Sequence, residues 1–364
     1  MGVTMNETTD NFAFSRIERL EAPSGASIAF RHQPSALAPA RGVLMICHGL
    51  VEHAGRYRRF ADTLAKQGFE VYAHDHRGHG RTRAADAPLG RFAWKDGVEK
   101  VVADVMAMRR MAAERHPGLP VILFGQSMGG LVALNTAVSH PDAFDGLSVW
   151  NSNLNPGFMG RLAQVVLRLE KMLKGSDVPS AILPKATFRA WNAKMPEKRT
   201  HADWLSHDKA AVDAYVEDPL CQFEASVSLW QDVFELSYRA PKLIERLRKT
   251  LPLLLVSGDQ DAATNDGREI VWLAERFRQA GFSHVEHTIY KGMRHETLNE
   301  IGWQAPAADF AAWCDRVVGG SKTPSPVISA LSRNDGIRGL SKHNECRSCR
   351  VSPSLVPFQN GISP

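Results

Sequence analysis

The chain has 364 residues, room for one large α/β domain or two smaller ones. A hydrophobic share of 44% and a charged share of 23% are those of an ordinary globular chain, and no apolar run approaches the roughly 18 residues that suggest a membrane span. The formal net charge of +5 raises the question of nucleic acid, but after residue 320 Lys322, Arg333, Arg338, Lys342, Arg347 and Arg350 face only Asp335 and Glu345; the body is nearly neutral, the basic balance belongs to the tail, and no nucleic-acid partner is expected.

The first ten residues are polar and lack a basic-then-apolar signal pattern, and Gly2 is followed by Asn6 where a lipidation signal wants Ser or Thr. Residues 1–11 are expected to be disordered and the protein cytoplasmic. Polarity alternates loosely over 14–22 and 26–32 around Pro23-Ser24-Gly25, which predicts an opening hairpin. Residues 43–47 are continuously apolar, as a buried parallel strand requires. The strand ends at His48-Gly49-Leu50-Val51-Glu52-His53, where a glycine lets the backbone approach a ligand and the Leu50 N–H can serve as an oxyanion donor.

A helix is predicted over 57–67 and a strand over 69–73. His74, His76 and His79 follow in H-x-H-x-x-H spacing. That spacing admits a metal site, against which two glycines and an exposed, Arg-rich loop suggest a structural turn. A helix with Val101, Val102, Val105 and Met108 on one face runs over 98–115 and stops at Pro117-Gly118.

The organising stretch comes next. Val121-Ile122-Leu123-Phe124 is a short buried strand, Gly125-Gln126-Ser127-Met128-Gly129 is a G-x-S-x-G turn, and Leu131-Val132-Ala133-Leu134 opens a helix. Strand, tight turn and helix make a nucleophile elbow, whose strain demands small neighbours and lifts the Ser127 hydroxyl toward the positive end of the helix. The Met128 N–H is the second oxyanion donor in this reading.

After a strand near 147–150 the alternation of strand and helix stops. Residues 151–249 contain helices, with Phe158, Leu162, Val165, Val166, Leu169, Met172 and Leu173 along one face and Trp191, Trp204, Trp230 and Phe234 beyond. Two readings stand for the first helix: a cap packed on the core, or a lid that guides apolar substrate and makes transient contact with a membrane surface. The sheet resumes at 251–257, a helix follows over 267–280, a strand over 284–290 and a closing helix over 303–318. The expected division is core over 12–150 and 250–320, helical cap over 151–249, and a disordered basic tail over 321–364. Of five cysteines, Cys47, Cys221 and Cys314 sit in apolar surroundings as small hydrophobes; Cys346 and Cys349 with His343 are too few for structural zinc.

Ser127, an aspartate after a late strand, and His295 after the last strand appear in the chain order of a Ser–Asp–His triad on an α/β-hydrolase sheet. Of Asp259 and Asp261, the second lies deeper in the turn and is preferred; the first would cap it. The runs 48–57, 74–82, 125–130, 258–261 and 291–296 together resemble the monoacylglycerol lipase/lysophospholipase group of α/β-hydrolases, which is serine aminopeptidase S33-like, and the run 215–220 is similar to that group's cap. The resemblance spans about 25–318. It implies an α/β-hydrolase fold with a mostly parallel sheet and a helical cap, the triad Ser127, Asp261 and His295, and oxyanion donors Leu50 and Met128. It also implies a structural role for 74–82 rather than a metal site, no cofactor, and a small acyl ester or lipid as substrate. Gln126 stands where the group often has His, and Thr82 where it often has Ser. Ester hydrolysis of monoacyl lipids is the expected activity. Acyl transfer, short-chain ester or amide hydrolysis by the same triad, and a non-catalytic binding protein are the alternatives.

Overall fold

The computed structural model describes residues 10–320; of the expected disorder over 1–11, residues 1–9 lie outside the described residues and 10 and 11 instead open a 3-10 turn, while the tail 321–364 also lies outside them. The chain opens with a 3-10 turn, Asp10–Ser15, then β1 (Glu18–Glu21) and β2 (Ala26–Gln33). The expected first strand therefore starts late. Phe14 is buried, and its N–H donates to Gln33 Oε1 at 3.2 Å, so the turn plugs the side of the sheet rather than extending it.

In chain order there follow β3 (Gly42–Cys47), α1 (Arg58–Lys66), β4 (Phe69–His74), a two-residue β5 (Arg83–Ala84), α2 (Gly97–Arg115), β6 (Val121–Gln126), α3 (Met128–Ser139) and β7 (Gly146–Trp150). Four helices then precede the next strand: α4 (Gly157–Lys174), α5 (Ala190–Ala193), α6 (Lys209–Glu217) and α7 (Val227–Leu243). The only pairing recorded among residues 151–252 is an isolated bridge between Pro179 and Ser226. β8 (Leu253–Gly258), α8 (Arg268–Gln279), β9 (Val285–Tyr290) and α9 (Gln304–Val318) complete the described chain.

One sheet runs β1-β2-β4-β3-β6-β7-β8-β9, with β5 on β2. Pairing is parallel from β4 to β9 and antiparallel where β2 meets β1, β4 and β5. This mostly parallel sheet with helices on both faces is the α/β-hydrolase fold expected from the sequence. Its central strands are apolar on both sides because both faces are covered, and the period of two divides them. Val43, Met45, Cys47, Val121 and Leu123 join a cluster with α2, α3 and α8. Leu44, Ile46, Ile122 and Phe124 join one with Phe60 of α1 and Phe310 of α9. Phe124 meets the rings of Phe60, Trp150 and Phe310 at 5.2–5.5 Å between centroids, and each such pair is worth about 0.5–1.5 kcal/mol beyond its area. β9 departs from its expected alternation: every residue is half-buried, as befits the last strand of the sheet. No helix of the described residues is long and apolar enough to cross a membrane.

α4 does not bury its apolar stripe, so the packed-cap reading fails for this helix. Gly160, Leu167 and Glu170 are its buried residues, while Phe158, Met172 and Leu173 are 79–83% exposed. A Cβ on Gly160 would meet Tyr238 Oη of α7 at 2.4 Å, so the helix approaches α7 through its small face and leaves the large side chains outside.

Candidate active site

The carboxyl ends of the parallel strands bring the proposed residues together, as open α/β sheets do. Ser127 lies between β6 and α3 with φ 56° and ψ −122°. This is a strained geometry for a residue with a Cβ, of the kind that costs about 1–3 kcal/mol and is kept where surroundings enforce it. The enforcement is visible. Ser127 N–H donates to Trp150 O at 2.8 Å, and Ser127 O accepts from Ser152 Oγ at 2.8 Å. A Cβ on Gly129 would lie 2.0 Å from Cys47 O, and one on Gly130 would lie 2.1 Å from Ser152 Oγ. The elbow thus closes only over hydrogen atoms.

His295 follows β9 and reaches back over the sheet. Its Nε2 is 3.0 Å from Ser127 Oγ, and its Nδ1 is 2.9 Å from Asp261 Oδ1. Asp261 is fully buried and also accepts from Ala263 N–H (2.9 Å) and Asn151 Nδ2 (3.1 Å). Burial pushes its carboxyl up, but His295 and these two donors prevail and hold it below the usual range. For His295 burial opposes the charged form, and Asp261 overrides it, so the imidazole is a stronger base than free histidine. Asp259, the other candidate, accepts from Gly292 N–H through Oδ1 at 2.7 Å and ties the two loops together.

Met128 is the first residue of α3, so its N–H is among those a helix leaves without an internal partner. Leu50 N–H donates to none of the described loop hydrogen-bond acceptors. Both residues line a cavity of about 80 Å³ together with Ser127 and His295. On the other side of Ser127 a smaller, more polar space of about 30 Å³ is bounded by Glu52, Gln126, Trp204 and Tyr215. A third, about 570 Å³ and mainly apolar, shares Asn153, Thr187, Trp191, Phe234 and Ala263 with the first and runs out beneath Phe158 and Leu162 of α4.

Several participants were not foreseen from sequence. Asn151, at φ 48°, braces Asp261 and is itself held by Thr297 Oγ1 at 3.2 Å. Trp204 lays its ring 4.7 Å from that of His295. Arg56 grips Glu296 with two bonds (2.6 and 2.7 Å) and Glu52 with a third (2.7 Å), while Glu52 Oε1 accepts from Gly49 N–H and from Tyr57 Oη (2.9 Å). One buried cation thus joins the loop carrying Leu50 to the residue after His295. Burial pushes Glu52 up, whereas Arg56 overcomes burial at Glu296 and holds it ionised. The visible signal was Glu52 and Arg56 at i, i+4 between an apolar strand and the next helix.

The loop 74–82 is buried, not exposed as expected: His74, His76, Arg77 and His79 are all within 1% of full burial. It is tied by Asp75, which accepts from Ala54 N–H and Arg81 N–H, and by His76 N–H donating to His48 Nε2 at 2.9 Å. Thr82 Oγ1, the group's frequent Ser, bonds Ala29 N–H and Asp75 O. Cys47, His74 and His76 offer ligand atoms within 4.8 Å of one another. Three sealed ligands fall one short of a closed tetrahedral site, and burial raises the Cys47 thiol far above the range in which it ionises.

Residues 38–302 match the family described as serine aminopeptidase, S33 (Hydrolase_4). The chain belongs to this family. Among its relatives is a monoacylglycerol lipase of Mycolicibacterium smegmatis, 28% identical over 278 residues, covering 75% of this chain and 88% of that protein. The monoglyceride lipase of Mus musculus is 26% identical over 305 residues, covering 81% and 91%. A carboxyl esterase from Bacillus coagulans, solved in complex with glycerol, has the same fold with a TM-score of 0.75, covering 83% of this chain and 98% of that one at 21% identity.

Proposed function

We propose that this S33-family chain is a serine ester hydrolase of monoacyl lipids, with a monoacylglycerol or lysophospholipid as substrate. The contacts from Ser127 to His295 and on to Asp261, at 3.0 and 2.9 Å, carry this reading. His295 Nε2 takes the proton as Ser127 Oγ attacks the ester carbonyl, and Asp261 steadies the imidazolium. The Leu50 and Met128 N–H groups hold the oxyanion; losing one such donor costs about 3–4 kcal/mol of transition-state stabilisation. The C–O bond breaks, His295 protonates the departing alcohol, and an acyl-enzyme remains on Ser127. Water then gives its proton to His295 and attacks the acyl carbon, the bond to Ser127 Oγ breaks, and His295 returns that proton to Oγ as the fatty acid leaves.

Substrate class rests on the shape around Ser127. The mainly apolar 570 Å³ channel suits an acyl chain, and the small space where Glu52 and Gln126 stand among Leu50, Phe188 and Trp204 leaves room for an alcohol. The names of the relatives, monoacylglycerol and monoglyceride lipases, agree. Residues 151–249 act in this proposal as a cap that walls the channel, and the outward stripe of α4 makes transient contact with a lipid surface. The test is fatty-acid release from monoacylglycerols, lysophospholipids and short p-nitrophenyl esters, with Ser127→Ala as control. Serine-dependent release favouring long monoacyl lipids is expected. Turnover that survives Ser127→Ala sinks the mechanism, and serine-dependent turnover of short esters alone sinks the lipid assignment.

A further inference from the structure

A cleft of about 750 Å³ opens between α4, α7 and the loop that leads into α2. It shares no lining residue with the cavities at Ser127, and catalysis makes no use of it. Its walls carry six cations: Lys95, Arg161, Arg168, Lys171, Arg239 and Lys242. Arg239 is engaged by Glu99 at 2.8 Å, and Lys171 reaches Gln231 at 3.4 Å. Among the described residues no acceptor is recorded for Lys95, Arg168 or Lys242. Asp96, Asp232 and Glu235 are the cleft's acidic members. Burial, then Glu235 and Glu99, push the Asp232 carboxyl up to about 7, so it carries only part of a negative charge near neutrality.

The cleft adjoins the unburied stripe of α4. At about 100° per residue, Arg161, Gln164, Arg168 and Lys171 fall within an arc of roughly 80°. Phe158, Leu162, Val165, Leu169, Met172 and Leu173 fill the neighbouring arc of roughly 100°. These six apolar side chains are 46–83% exposed, and Trp94, at the cleft's edge, is 67% exposed. Clustered exposure of this size marks an interaction surface, and an indole beside cations is the residue pattern of a membrane interface.

We propose that the cleft takes the phosphate-bearing headgroups of an anionic phospholipid surface while the apolar stripe of α4 enters the acyl layer. Charge complementarity selects this occupant: among the described residues Arg168, Lys95 and Lys242 have no acid partner, Arg161 is held only by Gln164 (3.4 Å) and the Tyr238 ring (3.9 Å), and such cations in a wide, open cleft match a field of phosphates. The apolar flank places those phosphates at the depth where headgroups lie. The inference rests on the reading that the cap meets lipid, and adds that the surface must be anionic.

The test measures co-sedimentation of the Ser127→Ala protein, which spares the vesicles, with vesicles of phosphatidylcholine alone or mixed with phosphatidylglycerol. The expected result is strong preference for the mixed vesicles that salt weakens. Arg161→Gln/Arg168→Gln/Lys171→Gln, made in the Ser127→Ala background, is expected to lose roughly a hundredfold of that binding. The same triple change in the active protein should leave short-ester turnover unchanged, which shows that it folds. Equal binding to both vesicle types, or an unchanged preference in the triple variant, overturns the anionic cleft while leaving cap–lipid contact standing. Glycerol phosphate that raises the melting temperature through these three residues, with no vesicle binding, overturns the membrane source in favour of a free phosphate ligand. Because sedimentation is independent of turnover, failure of the ester assay leaves this result untouched.

Discussion

Replacing Arg56 by Met removes one cation from a space that holds two carboxylates. The Arg56 side chain is only 11% exposed and those of Glu52 and Glu296 are 7% and 9% exposed. Three charge-assisted bonds of 2.6–2.7 Å disappear, and so does the stacking of the guanidinium 4.9 Å above Tyr215. Deleting one partner of a buried ion pair costs about 3–5 kcal/mol, because the other charge is left uncompensated. The expected loss is at the upper end of that range at pH 8. Its pH dependence follows from the directions of the carboxyl shifts. In the wild type Arg56 holds Glu296 below its ordinary value, so its stabilisation is present above the ordinary carboxylate range and fades as pH falls. Without Arg56, burial raises both carboxyls and the neighbouring Glu296 charge raises Glu52 further, against only the neutral donors Gly49 N–H, Tyr57 Oη and Asn299 Nδ2, so the folded variant binds protons the wild type does not. The deficit therefore widens from pH 5 to pH 8. Urea unfolding followed by tryptophan fluorescence at both pH values measures it. A deficit below about 1 kcal/mol at pH 8, or one equal at both pH values, refutes the account of a single buried cation joining two carboxylates.

Asp261→Asn should leave the melting temperature near that of the wild type while kcat falls by about 10⁴, the scale seen when a triad loses the tautomer its aspartate enforces; a loss under tenfold contradicts the role given to Asp261. The acid limb of kcat/KM should lie above the ordinary histidine value, since Asp261 outweighs burial at His295, and activity should fall as pH drops through that limb. Glu269, whose Oε2 accepts from Leu154 and Asn155 N–H, is pushed up by burial to about 7. Its stabilising contribution is present below the unfolded value and lost as pH rises through about 7, so Glu269→Gln should gain up to about 3 kcal/mol on the wild type between pH 5 and pH 8; parallel stability profiles contradict this. Gly129→Ala drives a Cβ to within 2.0 Å of Cys47 O and is expected to cost at least ~3 kcal/mol and most activity, read by melting temperature and ester turnover together.

Much of the molecule is local, and local features are what a sequence displays. The apolar runs at 43–47 and 121–124 announce strands covered on both faces, and Gly125, Gly129 and Gly130 announce a turn where only hydrogen atoms fit. The order of Ser127, Asp261 and His295 then assigns the sheet topology, because each follows a strand and the carboxyl ends share one edge. Direction and burial were settled only by tertiary packing. The stripe on α4 has the same helical period whether it faces a core or water. Gly160 settles the matter by letting α7 approach on the helix's other side. Nothing along the chain shows that Arg56 meets Glu296, because 240 residues separate the two. They become a buried network because β3 and β9 bring their loops to the same end of the sheet. A periodic pattern records which residues share a face, and the free energy of burial depends on what the rest of the chain places against that face.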